Sequence, residues 1–165
     1  MSQGIEPDDP IMGLDLSMAR IGWAVVRGNR IDSGSVRLRG DLPDFLPIYR
    51  RWLRDMVVSH GPYVVAVEAP MVGHGTGSTK ISMCLSGATD EVMRKYIGLY
   101  LPINQAQWKK DICGRGNISS AEKNAGMVQH ILKRDYGIET ETVDEADAIC
   151  VALAARKKLG FDPAR

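Results

Sequence analysis

Cysteine is scarce in this chain and badly placed for cross-linking. Cys84, Cys113 and Cys150 are odd in number, far apart and never arranged as CxxC, which argues against a zinc ribbon or a disulfide framework and fits a reducing cytosol. No apolar run reaches the roughly 18 residues that a bilayer-spanning helix needs, so no membrane partner is expected. The opening stretch, MSQGIEPDDP, is acidic and has neither the basic nor the apolar region of a signal peptide. Residues 1–10 are expected to form a disordered lead-in. A large charge of one sign is also missing. The formal net charge is +1, which weighs against the strongly basic nucleic-acid proteins, although a carboxylate cluster lowers the sum while the surface around it stays basic. There is no internal repeat and no low-complexity segment. What is present is the composition of an ordinary globular domain, 44% apolar and 25% charged over 165 residues, enough for one domain with a real core. That domain is placed at residues 11–160, with a tail at 161–165.

Ile11–Leu16 is largely apolar on both faces, as in a central strand. Gly22–Arg27 and Ile31–Leu38 are β-rich runs separated by the turn signal Gly28-Asn29-Arg30, so the first three strands read as an antiparallel meander. Leu42–His60 carries Phe45, Ile48, Trp52, Leu53 and Met56 at helical spacing and is stopped by Gly61-Pro62. Tyr63–Val67 reads as a buried strand ending at Glu68, terminated by Pro70. Met71–Lys80 reads as a flexible glycine-rich loop, Ile81–Leu99 as a helix with the small residues Ser82, Ser86, Gly87 and Ala88, and Tyr100–Asn104 as a short strand. Gln105–Ser120 reads as a basic loop. Ser120–Tyr136 reads as a helix capped by Ser119 or Ser120, and the last helix runs from near Asp144 to about Leu159. The order predicts an α/β fold with a mixed sheet: three antiparallel strands followed by two parallel ones, flanked by helices.

Four acids stand out by position. Asp15 interrupts the apolar first strand, where an ionised carboxylate is costly unless a cation meets it. Glu68 sits at the carboxyl end of the fourth strand, where open α/β sheets place ligands. Asp144 and Asp147 are i and i+3 on one helix and project from one face. If that helix crosses the sheet near the first and fourth strands, the four meet, and their hard oxygens suit Mg²⁺ or Mn²⁺ rather than zinc. Two such ions would support an in-line phosphodiester displacement. Each acid also has a structural reading: Asp144 as a helix cap with Glu145 and Asp147 complementing the dipole, Glu68 as an exposed strand end, and Asp15 as part of an Asx-type turn to Ser17.

The succession GLDLSMARIGWAVV, VVAVEAP, WKKDICGRG, SSAEK and DEADAICVAL resembles the RuvC-type Holliday junction resolvases of the ribonuclease-H-like superfamily. The similarity runs roughly from Ile11 to Leu153, and its flanks and loop look like those of a phage or otherwise divergent member. The resemblance implies a ribonuclease-H-like five-stranded mixed sheet. It also implies a metal-dependent endonuclease that resolves four-way DNA junctions, with two Mg²⁺ ions (Mn²⁺ substituting) and products ending in 5′-phosphate and 3′-hydroxyl. The family's metal-binding acids match Asp15, Glu68, Asp144 and Asp147 one by one. Its lysines for DNA binding and catalysis match Lys109 and Lys123, although Asn117-Ile118-Ser119 lengthens the stretch between G-x-G and S-A-E-K.

Lys109, Lys110, Arg115 and Lys123 surround Gly114-x-Gly116 and are expected to reach phosphates, the alternative being a solvated charged loop. Met71 takes the place of the family's junction probe, His74 shares its loop and Lys80 closes it. All three are DNA-binding candidates, while GHGTGSTK lacks the order of a P-loop. Trp23, Trp52 and Trp108 read as core or edge residues with no stacking role. The resemblance implies a homodimer, for which the Ile81–Leu99 helix is the candidate interface, close packing on its own sheet being the alternative. The expected location is the cytoplasm, on DNA (a host's cytoplasm if the chain is phage-encoded). Three rival readings stay open. They are a related nuclease acting on flaps, forks or structured RNA, a non-catalytic branched-DNA-binding module, and an actin-like nucleotide-binding protein, for whose usual two domains the chain is short.

Overall fold

A computed structural model of the chain describes residues 4–70, 76–96 and 98–162, with only the backbone of Thr76 and Ser78. Five strands form one sheet in the order β3-β2-β1-β4-β5: β1 (Ile11–Asp15), β2 (Ile21–Arg27), β3 (Arg30–Val36), β4 (Val64–Glu68) and β5 (Leu99–Ile103). β1–β2 and β2–β3 are antiparallel, whereas β1–β4 and β4–β5 are parallel, as expected from the sequence. β1 is the central strand, apolar on both faces, and it ends at Asp15.

The two faces of the sheet carry separate cores. Met12, Leu14, Val25, Val65 and Val67 pack under α1 (Leu42–His60) and α2 (Thr76–Lys95). On the other face Ile11, Ala24, Val64 and Ala66 pack under α3 (Gln105–Cys113) and α6 (Val143–Lys158). Alternation along the strands sends Gly13 and Asp15 of β1, Gly22 of β2 and Glu68 of β4 to this second face. The cross-strand register sets Ala24, Gly13 and Ala66 side by side and Asp15 opposite Gly22. The row of small residues lets α6 lie almost on the sheet backbone. A Cβ added to Gly22 would collide with the Asp144 carbonyl, and one added to Gly13 would lie 2.8 Å from the Ala152 Cβ and strike backbone atoms as well. α6 is itself rich in alanine and buried all round from Glu145 to Arg156, as befits a helix enclosed between a sheet and other helices.

Several boundaries differ from the sequence reading. The expected basic loop Gln105–Ser120 is helical through Cys113: Asn104 caps α3 by accepting from the Gln107 N–H, and Trp108 and Ile112 bury one face. The expected helix Ser120–Tyr136 is three pieces, α4 (Ser120–Asn124), α5 (Met127–Ile131) and a π-helical turn Leu132–Tyr136. Gly126, at φ 85°, breaks the first junction. α2 starts five residues before Ile81 and stops at Lys95, because Leu99 has already joined the sheet beside Val64. Residues 4–10, expected to be disordered, lie against the domain. Ile5 packs on the core, and the Pro7 carbonyl accepts from the Arg156 guanidinium at 2.8 Å.

Candidate metal centre

Parallel pairing of β1 and β4 brings their carboxyl ends to the same edge, so Asp15 and Glu68 share one end of the sheet. The Thr142 hydroxyl caps α6 by accepting from the Glu145 N–H. Asp144 is therefore not the cap. It and Asp147 stand in the first turns of α6, which crosses β1 and β2 at that end.

The electrostatics of Asp15 register this convergence. Burial of its carboxyl, then the negative charges of Asp147, Glu68 and Asp144, hold its pKa well above the ordinary carboxylate range, with Lys123 opposing. Asp147, 1% exposed, is also raised, by burial against the pull of Lys123. Its Oδ2 takes an ion pair from Lys123, while its buried Oδ1 has no partner among the described residues. Burial pulls the Lys123 ammonium down, but Asp147, Asp15 and Glu68 more than restore it, so its pKa is raised.

The other two acids are occupied as well. Glu68 is held through both oxygens, Oε1 accepting from Gln105 Nε2 and Oε2 from Trp108 Nε1, each at 2.8 Å. Asp144 faces Arg20 Nε at 3.9 Å. Arg20 ends a turn closed by Ser17, whose hydroxyl donates to the Arg20 carbonyl and accepts from its N–H. Ser17 thus serves that turn rather than capping Asp15.

Among the described residues no three acids, histidines or cysteines stand close enough, as placed, to hold one ion together. Glu68, Asp144 and Asp147 are each turned towards a protein donor. The donor set nevertheless fits a hard divalent cation. All the donors are carboxylate oxygens, one of them is an orphaned buried atom, and Asp15 feels the negative charges of the other three acids.

The basic residues divide. Lys80, Lys110 and Arg115 are exposed, and Arg115 is tied to Glu122 at 2.6 Å. Lys109 is not on an open loop. It is 6% exposed, its Nζ donates to the Ile118 carbonyl and lies 5.7 Å from the Trp108 ring, and burial lowers its pKa. Lys123 does reach the site, carried by α4 and its capping box of Ser119 and Glu122. Met71 and His74 lie outside the described residues. Gln105, Trp108 and Arg20 contact the acids and were not picked out from the sequence. Asn104 and the i, i+4 pair Trp108 and Ile112 signal α3, but no local pattern signals a bond from an indole to a carboxylate forty residues away.

No family model matches the sequence. The chain is 29% identical over 153 residues to the crossover junction endodeoxyribonuclease RuvC of Aromatoleum aromaticum, covering 87% of this chain and 78% of that protein. It is 27% identical over 156 residues to the Pseudomonas fluorescens protein of the same name, covering 87% and 83%. Among solved structures, Thermus thermophilus RuvC aligns over 92% of this chain and 97% of its own with a TM-score of 0.70 at 18% identity. The Fowlpox virus resolvase in complex with Holliday junction DNA aligns over 91% and 98% with a TM-score of 0.56 at 14% identity.

Proposed function

We propose that this chain, similar in sequence to RuvC crossover junction endodeoxyribonucleases and in fold to RuvC-type resolvases, is a metal-dependent endodeoxyribonuclease that resolves four-way DNA junctions by paired phosphodiester hydrolysis. The observation that supports this reading is that Asp15 and Glu68 lie at the shared end of two parallel strands, and that the Asp15 carboxyl feels Glu68, Asp147 and the Lys123 paired with Asp147.

Asp15, Glu68, Asp144 and Asp147 are the residues proposed to hold the cations, Mg²⁺ by preference with Mn²⁺ able to substitute, two per site. Bound ions supply Lewis acidity to the scissile phosphate and a more acidic attacking water. The chain's own groups do the rest. Asp15, whose pKa burial and the neighbouring acids hold well above the usual carboxylate range, would have to be ionised to ligate a cation. Lys123 is paired with Asp147, and a phosphate at the site would offer it a second anion. There it neutralises charge that develops on the phosphate. Gln105 and Trp108 orient Glu68. Cleavage leaves a 5′-phosphate and a 3′-hydroxyl. Lys110, Arg115 and Lys80, all exposed, are proposed to contact the duplex arms, together with Met71 and His74.

Two symmetric cuts suit a two-fold dimer, and the outward side of α2 is the proposed interface. The proposed location is the cytoplasm, on DNA. No helix among the described residues is long and apolar enough to cross a membrane.

The test is cleavage of a synthetic four-way junction, a flap, a fork, a structured RNA and a linear duplex in Mg²⁺, in Mn²⁺ and in EDTA. Symmetric cuts in the junction that vanish in EDTA are expected. Asp15→Asn and Asp147→Asn should bind the junction and leave it intact. Cleavage retained by the double variant overturns the site; preferred cutting of flaps, forks or RNA overturns the substrate; and binding without cutting in either metal overturns the enzyme.

A further inference from the structure

Both oxygens of Glu68 carry a hydrogen bond from the protein, and both donors come from α3. Gln105 Nε2 reaches Oε1 and Trp108 Nε1 reaches Oε2, each at 2.8 Å. The Trp108 side chain is fully buried, and the ammonium groups of Lys109 and Lys123 lie 5.7 and 5.9 Å from its ring centroid. One indole thus donates to an acid through its edge and faces two lysines across its ring, which is an electrostatically favourable use of both parts of an aromatic group.

We propose that Gln105 and Trp108 are positioning residues that fix the Glu68 carboxylate from both sides, setting the affinity of the site for a divalent cation. The inference rests on the metal-dependent reading above and deepens it. A carboxylate oxygen has room for more than one partner, so neither bond need break for Glu68 to face a cation. The two bonds together restrict rotation of the carboxylate plane, which a single bond leaves free. Lys123 meets the same indole whose N–H holds Glu68, so Trp108 also couples the position of that lysine to the acid. Groups that orient a ligating carboxylate are worth roughly 10- to 100-fold in metal affinity or activity when removed.

The experiment uses the full-length protein. Mn²⁺ affinity is measured by calorimetry for the wild type, Glu68→Gln, Trp108→Phe and Gln105→Leu. Trp108→Phe keeps an aromatic ring in the core while removing the donor. Gln105→Leu removes the second donor at a partly exposed site, so the inference stays testable should the first variant fail to fold. Each variant should bind Mn²⁺ about 10-fold more weakly, with unchanged junction affinity in EDTA and a reduced kcat.

A second readout follows the hydrogen bond itself, and its response to metal is one that a merely structural bond would not give. The chain has three tryptophans, and the indole N–H resonance missing from Trp108→Phe belongs to Trp108. It should shift in Glu68→Gln and on titration with Mg²⁺. Wild-type Mn²⁺ affinity in both donor variants, or an indole resonance indifferent to Glu68→Gln, overturns the inference while leaving the metal site standing. Glu68→Gln binding Mn²⁺ as tightly as the wild type removes the metal site and the inference with it.

Discussion

At the scale of single residues, the protein keeps carboxylates where burial alone would forbid them. Asp15 and Asp147 both have pKa values raised in the folded state, burial being the largest cause. The folded form therefore holds protons that the unfolded chain has already released. By linkage, this contribution to stability is present at acidic pH and is lost as pH rises from the unfolded carboxylate range through the folded pKa values. The metal-free protein should lose thermal stability over that window, and Asp15→Asn should flatten the loss and raise the Tm in EDTA at neutral pH. Melting curves from pH 4 to 8, with and without EDTA, measure both; a Tm of Asp15→Asn below the wild type throughout contradicts the reading.

Asp15 was legible in the sequence because an acid in a run such as Met12–Leu16 breaks the apolar pattern, and Asp147 because i, i+3 spacing joins it to Asp144. The bond from Trp108 to Glu68 was not legible. It depends on where α3 lands after folding, and tryptophan in a strongly basic stretch reads as core or edge. Lys109 was misplaced for the same reason: two adjacent lysines suggest solvent, yet the helix turns one of them inward beneath Ile118.

At the scale of elements, α4 is short and unburied, so its cap governs whether Lys123 is delivered. The Ser119 hydroxyl accepts from the Glu122 N–H at 3.2 Å, and the Glu122 carboxylate accepts from the Ser119 N–H at 2.8 Å. Ser119→Ala should cost about 1 kcal/mol and lower the cleavage rate without altering any charged group, as denaturant melts and single-turnover kinetics would record.

The antiparallel meander of β1, β2 and β3 was legible from β-rich runs and a turn signal, and the mixed sheet from the order of the elements. The breaks in the region 120–136 were not, because Gly126 sits within an otherwise helical pattern. The seating of α6 is a second element-level dependence. Gly22→Ala places a methyl group against the Asp144 backbone. It should destabilise the fold by about 1–3 kcal/mol, the usual cost of overpacking, and suppress cleavage more than junction binding. A crystal structure of that variant with α6 unmoved would refute the account.

At the scale of the whole molecule, the inner side of α2 is spent on its own domain. Ser86, Ala88 and Thr89 are buried, and Thr89 shares a 2.7 Å hydrogen bond with Tyr49 of α1. Packing against its own domain thus accounts for two of the four small residues, Ser86 and Ala88. Met83, 50% exposed, and Gly87, one turn later, face outward. Met83→Glu should therefore shift a dimer towards monomer in sedimentation and weaken junction binding, while thermal stability holds at a protein concentration where the wild type is already monomeric. Unchanged sedimentation places the interface elsewhere.

The contact between α6 and the sheet has one more consequence. Side chains that meet through flexible tips can yield by small amounts, but Gly13 and Gly22 let backbone meet backbone, which is stiff. A helix so seated has discrete resting places, one turn or about 5.4 Å apart along its axis, and no shallow slope between them. Substitutions in this region should therefore divide homologues into working and silent enzymes, with few of graded activity, since the distance from Asp147 to Asp15 changes by steps and not by degrees.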